Sequence, residues 1–289
     1  MTEIAAGSDQ VRAWSRTMRR SGRTVALVPT MGALHRGHLA LVERARSLAD
    51  AVVVSIFVNP LQFGEAADLA NYPTPIDNDL AACRAAGVDL VYAPTAATMY
   101  PVGFDTRVVP GSLAATMEGQ SRPGHFEGVA TVVTKLLAAV EPDLAVFGEK
   151  DYQQLAIVRR LVIDLDLGVT IVGVPTVREH DGLALSSRNL RLTPEDRAAA
   201  TAIPRAVAGA VASARSSAAT VDGIVAAALT VLRSEPRCDV DYVNVFDADT
   251  LAVLERLEAE HRRPGRCRIA VAARFGGIRL IDNADLFDV

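Results

Sequence analysis

The chain has 289 residues, and 30 Lys and Arg stand against 34 Asp and Glu for a formal net charge of −4. Half of it is hydrophobic, which is globular composition, long enough for a sizeable core and for about two domains. The acidic balance argues against broad nucleic-acid or anionic-membrane binding, and leaves room for a local basic pocket.

Cys83, Cys238 and Cys267 are odd in number and far apart, with no Cys-x-x-Cys, so neither a disulfide framework nor a zinc ribbon is expected. The opening residues lack the basic and apolar regions of a secretory signal. The densest apolar run, Ala51 to Val58, is too short to span a bilayer. A soluble cytoplasmic protein is expected.

Strand and helix signals alternate through the first half. Thr24 to Val28 is a short apolar run ended by Pro29, and a helical pattern follows from about Gly37 to Leu48. Ala51 to Val58 is β-branched and apolar, as in a strand buried on both faces. A helix over Asp77–Ala86 stops at Gly87, and Val88 to Tyr92 is a third strand. A helix over Val129–Val140 precedes a strand at Leu144 to Phe147. Asp151 can cap the next helix, whose Leu155, Val158, Leu161, Val162 and Leu165 form one apolar face, and Thr170 to Val174 is another buried strand. This alternation predicts α/β architecture, a doubly wound parallel, Rossmann-like sheet over residues 1–176. Beyond it the pattern changes. Thr193-Pro194-Glu195 starts a helix, and Ala-rich helices are predicted near Pro194–Ala214 and Val221–Ser234. Strands follow at Val240–Phe246, Arg268–Phe275 and Ile278–Asp282, the last two joined at Gly276-Gly277. Residues 177–289 therefore read as a smaller α+β domain.

Several segments could carry chemistry. Pro29-Thr30-Met31-Gly32-Ala33-Leu34-His35-Arg36-Gly37-His38 follows the first strand and opens a helix, the junction at which α/β folds bind phosphate. It is neither G-x-G-x-x-G nor a Walker A loop. Two histidines three apart can face one phosphate chain as donors, or they decorate a surface turn. Gly148-Glu149-Lys150-Asp151 again joins a strand end to a helix start, with a cation suited to phosphate and Gln154 one turn later; the alternative is a capped helix with a solvated charge cluster. Leu185-Ser186-Ser187-Arg188 offers hydroxyls and a guanidinium to a triphosphate, or is a polar linker. Phe57, Asn59 and Gln62 set polar groups among apolar ones after the second strand, as a small-molecule pocket or a strand cap does. Asp77-Asn78-Asp79 is a candidate Mg²⁺ group or an acidic first helical turn. Arg122 and His125 form a cationic spot ahead of a helix, or belong to a loop with a core histidine.

His35-Arg36-Gly37-His38 resembles the His-x-Gly-His signature of nucleotidyltransferases. Taken in order with Phe57-Val58-Asn59-Pro60-Leu61-Gln62-Phe63, Gly148-Glu149-Lys150-Asp151-Tyr152-Gln153-Gln154 and Ser186-Ser187-Arg188-Asn189, the chain resembles the pantoate–β-alanine ligase family over nearly its whole length. The resemblance implies ATP as co-substrate with Mg²⁺, a pantoyl-adenylate intermediate, release of AMP and pyrophosphate, and a homodimer whose smaller domain acts as a lid. It also implies roles. His38, His35 and Lys150 would be catalytic. Residues 29–38, Gly148 to Asp151, Val177 and Leu185 to Arg188 would contact ATP. Gln62, Gln154, Asn59, Phe57 and Met31 would hold pantoate. Gln62, Arg122 and His125 would meet β-alanine, and Asp79 with Asn78 would bind the metal. Three departures stand out: Tyr72-Pro73-Thr74-Pro75 replaces the family's Tyr-Pro-Arg-Thr, Asn78 takes the place of a carboxylate, and Arg36 occupies an often acidic position.

Two other functions are compatible with parts of this pattern. A different nucleotidyltransferase would leave a nucleotide on its product. A nucleotide sensor without turnover would not need His38, Lys150, Gln62 and Gln154 together. An RNA-binding role is disfavoured by the charge balance.

Overall fold

A computed structural model describes residues 2–64 and 69–288. The chain divides into two compact units: residues 1–114, 122–149 and 154–175 belong to the first, and 115–121, 150–153 and 176–289 to the second.

The first unit is built on six parallel strands, β1 (Glu3–Ala5), β2 (Val25–Thr30), β3 (Ala51–Ile56), β4 (Leu90–Tyr92), β5 (Leu144–Gly148) and β6 (Thr170–Val174), in the order β1-β4-β3-β2-β5-β6. Side chains alternate faces along each strand, so each apolar run fills two cores. Val25, Leu27, Val53, Ala145 and Phe147 join one cluster, while Ala26, Val28, Val52, Val54 and Val146 join the other. The first cluster is covered by α1 (Ser8–Arg20), α6 (His125–Val140) and α7 (Tyr152–Asp164), and the second by α2 (Arg36–Arg46) and α3 (Ile76–Ala85). The short helix α4 (Ala96–Met99) belongs to the first unit, and α5 (Glu118–Ser121) belongs to the second.

The strand order reverses direction at β2, which has β3 on one side and β5 on the other. Pro29 lies inside β2 rather than after it. A proline in a central strand removes a ladder donor. Here β2 pairs with β3 from Val25 to Thr30, but with β5 only at Ala26 and Leu27. Pro29 therefore falls where the β2–β5 ladder has already ended. The carboxyl ends of these two strands part at the topological switch point, where open α/β sheets take their ligands.

Other boundaries moved for identifiable reasons. The edge strand β1 and helix α1 were not predicted; α1 is mostly polar and charged, and its inward stripe is only Val11, Trp14, Ser15 and Met18. The helix expected from Val129 begins at His125, after Gly124 in a left-handed conformation with φ 79°. Asp151 directly precedes α7 as the last residue of a 3-10 turn, Glu149–Asp151, that runs into the helix. The predicted Pro194–Ala214 helix is two helices, α8 (Pro194–Ala199) and α9 (Ala202–Ala214). Pro204 has no N–H to give the carbonyl four residues back, and its ring crowds that carbonyl, so the helix breaks at Ala200.

The second unit packs α9 and α10 (Val221–Arg233) on an antiparallel sheet of β7 (Asp239–Asp247), β8 (Cys267–Phe275) and β9 (Ile278–Asp285). Gly276 and Gly277 turn β8 into β9 with φ of 54° and 82°. Among the described residues no helix is long and apolar enough to cross a membrane.

Candidate active site

The loop after β2 is held from within. Gly32 and Ala33 both have positive φ, 83° and 49°. A Cβ on Gly32 would stand 2.9 Å from Asp79 Oδ2 and 3.2 Å from Ile56 Cγ2, so only glycine fits. Asp79, on α3 and 2% exposed, accepts the backbone N–H of Ala33 at 2.9 Å and of Leu34 at 2.7 Å, one on each carboxylate oxygen. Thr30 Oγ1 donates to the Ser55 carbonyl at 2.7 Å and accepts from the Gly32 N–H at 3.2 Å.

The two histidines cap α2. His35 is the N-cap, and its Nδ1 accepts the Gly37 N–H at 3.1 Å. His38, three residues on, accepts the His35 N–H on its own Nδ1 at 3.3 Å, which completes a capping box in which imidazoles replace the usual hydroxyl and carboxylate. The two rings lie against each other, centroids 4.1 Å apart and planes tilted by 32°. Because each Nδ1 accepts a hydrogen bond from a backbone N–H, each neutral ring carries its own hydrogen on Nε2. Both histidines are thus fixed as Nε2 donors. The backbone N–H groups of Gly32, Ala33, Leu34, His35 and Gly37 all have acceptors within the protein. Arg36 is the exposed first residue of α2.

The segment after β3 forms a second cluster. Asn59, 1% exposed, caps the Pro60–Gln62 turn by accepting the Leu61 N–H on Oδ1 at 3.3 Å. Its Nδ2 donates to Gln62 Oε1 and to the Gly128 carbonyl, both at 3.0 Å. Gln62 Nε2 donates to Met31 Sδ at 3.0 Å, joining this turn to the loop after β2. Helix α6 lies directly on the turn, since a Cβ on Gly128 would sit 2.3 Å from the Leu61 carbonyl oxygen. Arg122 Nη2 donates to the Gln62 carbonyl at 3.2 Å. Arg122 Nη1 also meets His125 Nε2 at 3.3 Å. A guanidinium only donates, so Nε2 accepts, and His125 Nδ1–H donates to the same Gln62 carbonyl at 2.8 Å. Phe57 is buried, with its ring 6.0 Å from that of Tyr100.

In the first unit, then, Met31, Asn59, Gln62, Arg122 and His125 form one bonded group, and His35 with His38 forms another on the same loop as Met31. Gly148 ends β5 and has room beside it: a Cβ would meet only Leu41 Cδ2, at 3.9 Å. Glu149 lies against β6, its Oε1 3.1 Å from where a Gly173 Cβ would be. Gln154 is half-buried in the first turn of α7.

The other candidates belong to the second unit. The Lys150 carbonyl accepts from Asn283 Nδ2 at 2.9 Å, and Lys150 Nζ is 3.8 Å from the exposed Asp151. Val177 and Leu185 face each other, with the Leu185 N–H donating to the Val177 carbonyl at 3.0 Å. Arg178, just inside this hairpin, grips Asp282 of β9 through two bonds of 2.6 and 3.0 Å. Ser186 Oγ caps the following 3-10 turn by accepting the Arg188 N–H at 3.2 Å, and Ser187 is buried.

Asp79 and Asn78 do not fit the expected Mg²⁺ site. Mg²⁺ needs an open octahedral shell that keeps several waters. Asp79 is buried with both oxygens bonded to backbone, while Asn78 is exposed on the neighbouring position of the helix. Among the described residues no group of three or more His, Cys, Asp or Glu side chains could hold a metal ion.

Sequence reasoning missed Tyr100, whose hydroxyl donates to Asn59 Oδ1 at 2.7 Å, because 41 residues separate the two. It also passed over Gly128, although an isolated glycine in an apolar helix is a signal of close packing.

A family model described as pantoate-beta-alanine ligase matches residues 3–285. A pantothenate synthetase of Rhizorhabdus wittichii is 51% identical over 281 residues, 97% of each chain. One from Mycolicibacterium smegmatis is 53% identical over 275 residues, 94% of this chain and 84% of that one. Among solved structures, the crystal structure of pantothenate synthetase from Thermus thermophilus is similar with a TM-score of 0.90 at 47% identity, covering 99% of this chain and 100% of that one. A pantoate–β-alanine ligase from Francisella tularensis, complexed with beta-gamma ATP and β-alanine, has a TM-score of 0.81 at 32% identity, covering 100% of this chain and 99% of that one. Fold, motif order and a match across nearly the whole length agree, and the chain belongs to the pantoate–β-alanine ligase family.

Proposed function

We propose that this chain condenses pantoate with β-alanine at the expense of ATP, through a pantoyl adenylate. A carboxylate is a poor electrophile, so one of its oxygens first attacks the α-phosphorus of ATP, and the bond to the bridging oxygen breaks to release pyrophosphate. The neutral amine of β-alanine then attacks the acyl carbon. The acyl C–O bond breaks, AMP leaves, and the amine gives up a proton. Family membership and the Francisella relative's ligands support both co-substrates.

The observation that carries this reading is the bond between Gln62 and Met31, which sets an amide donor beside a loop bearing two imidazole Nε2 donors. Gln62, Gln154, Asn59, Phe57 and Met31 hold pantoate. His38, with His35 behind it, donates to phosphate oxygens as charge grows on them, and Lys150 neutralises the same chain. Residues 29–38, Gly148, Glu149, Asp151, Val177, Leu185, Ser186, Ser187 and Arg188 contact ATP; the space beside Gly148 suits this. Arg122 and His125, with Gln62, receive β-alanine. Residues 1–176 act as the nucleotide- and pantoate-binding domain and 177–289 as the lid, in a cytoplasmic homodimer. Mg²⁺ enters as the counter-ion of ATP, carried by phosphate oxygens and water.

The test is AMP formation with ATP, pantoate and β-alanine, each omitted in turn, using pantoate labelled with ¹⁸O in its carboxylate. AMP should require all three for turnover and should carry the label. Label in inorganic phosphate would mean an acyl phosphate and sink the adenylate.

A further inference from the structure

We propose that Tyr100 is a positioning residue for pantoate, because its hydroxyl sets the direction of the Gln62 side-chain amide through Asn59. The inference rests on the assignment of Gln62 to pantoate. An amide in a pocket can present either its carbonyl or its NH₂ to a substrate, and the two choices select opposite partners. Here the choice is made by a chain of bonds that begins at Tyr100. Tyr100 Oη donates to Asn59 Oδ1 at 2.7 Å. That oxygen also accepts the Leu61 N–H, so it is held as the acceptor end of Asn59. The NH₂ of Asn59 is consequently turned to the Gly128 carbonyl and to Gln62 Oε1. Gln62 must then point its own NH₂ outward, where the atom it meets is a thioether, Met31 Sδ.

A thioether is a weak acceptor, and Gln62 is only 9% exposed, so this donor gains when an oxygen replaces the sulfur. The substrate feature read here is thus an acceptor, a carboxylate or hydroxyl oxygen of pantoate. Burial holds the Tyr100 hydroxyl well above its ordinary ionisation range, which keeps it a donor. The ring is fixed between Phe57, 6.0 Å away, and Phe104, 4.8 Å away, so removal of the oxygen alone leaves the packing in place.

The experiment is a double-mutant cycle of Tyr100→Phe and Gln62→Ala, reading KM for pantoate, KM for ATP, kcat and Tm. Tyr100→Phe should raise the pantoate KM several-fold, up to about ten-fold, the worth of one neutral hydrogen bond. KM for ATP and Tm should stay at wild-type values, and the substitution should add nothing in the Gln62→Ala background. An unchanged pantoate KM in Tyr100→Phe, with a raised one in Gln62→Ala, overturns the relay and leaves the Gln62 assignment standing. Equal rises in both backgrounds would show that Tyr100 acts elsewhere. Loss of ATP affinity or of Tm alongside would make Tyr100 a packing residue. If Gln62→Ala itself leaves pantoate KM unchanged, the assignment of Gln62 fails and the relay with it.

Discussion

The Asp79 carboxylate accepts the backbone N–H of Leu34 at 2.7 Å, across 45 residues of chain. Its other oxygen takes the Ala33 N–H at 2.9 Å, so one buried side chain on α3 holds the turn that carries Met31 and leads into His35. Asp79→Asn replaces one acceptor by a donor facing an N–H. This should cost about 1.5–3 kcal/mol of stability and raise KM for ATP. The Mg²⁺ concentration for half-maximal adenylation should not move, and Asn78→Asp should change neither quantity. Thermal unfolding and Mg²⁺ titration check this; a shifted Mg²⁺ dependence in both variants would restore the metal role.

Two glycines at the carboxyl ends of neighbouring strands, β2 and β5, should respond differently. Gly32→Ala places a Cβ 2.9 Å from Asp79 Oδ2 at a φ of 83°. The left-handed conformation alone costs a non-glycine residue about 1–2 kcal/mol, and the clash adds to it. Gly148→Ala meets nothing closer than 3.9 Å, so Tm should hold while KM for ATP rises. A stable Gly32→Ala variant would contradict the clamp.

His38 has two duties that substitution can separate. It caps the His35 N–H through Nδ1, and on the proposed mechanism it donates to phosphate through Nε2. His38→Ala should lose about 1 kcal/mol of stability with the cap. It should also lose on the order of 10²–10³ in single-turnover adenylation. His38→Asn restores a capping oxygen without the imidazole, so stability should return while the rate does not. Near-normal adenylation in either variant would remove His38 from the chemistry. Lys150→Ala should slow the same step without the cost in stability.

An acid-range test of the fold lies at Asp50. Its carboxyl is held below the usual range first by the Thr24 N–H, bonded at 2.9 Å, and then by the Thr24 hydroxyl at 2.8 Å, with slight burial opposing. A folded-state value below the unfolded one gives stability that is full above the ordinary Asp range, near ~4, and is lost as pH falls through the lowered value. The Tm gap between wild type and Asp50→Asn should therefore be largest near neutrality and close as pH falls below the ordinary Asp range and through the lowered value. A gap that is independent of pH would show that Thr24 does not bind the charged form.

Much of the molecule was legible in the order of residues alone. Val25–Val28, Val52–Val54 and Ala145–Phe147 are apolar on both faces, which marks parallel strands covered on both sides whatever the rest of the chain does. The motifs at Met31–His38, Asn59–Gln62 and Gly148–Asp151 follow those strands directly, so their placement at strand ends came with the strands. Gly276-Gly277 and Thr193-Pro194 are turn and cap signals that act over a few residues. Even the break before Pro204 was available, since the lost hydrogen bond is local.

Tertiary structure decided what each polar group faces. Nothing near Asp79 distinguishes a metal ligand from an anchor; its burial and its two backbone partners come from packing α3 beneath a loop 45 residues earlier. The histidine signature reads as a donor pair, but that the rings cap α2 and are fixed as Nε2 donors follows from backbone geometry at the β2–α2 junction. The direction of the Gln62 amide depends on Tyr100 and Gly128, 38 and 66 residues further on, brought there by the sheet and by α6. Periodicity records how often a chain turns an apolar side inward. Which donor meets which acceptor is set only when distant strand ends are brought together, because a buried polar group must find its partner wherever the fold supplies one.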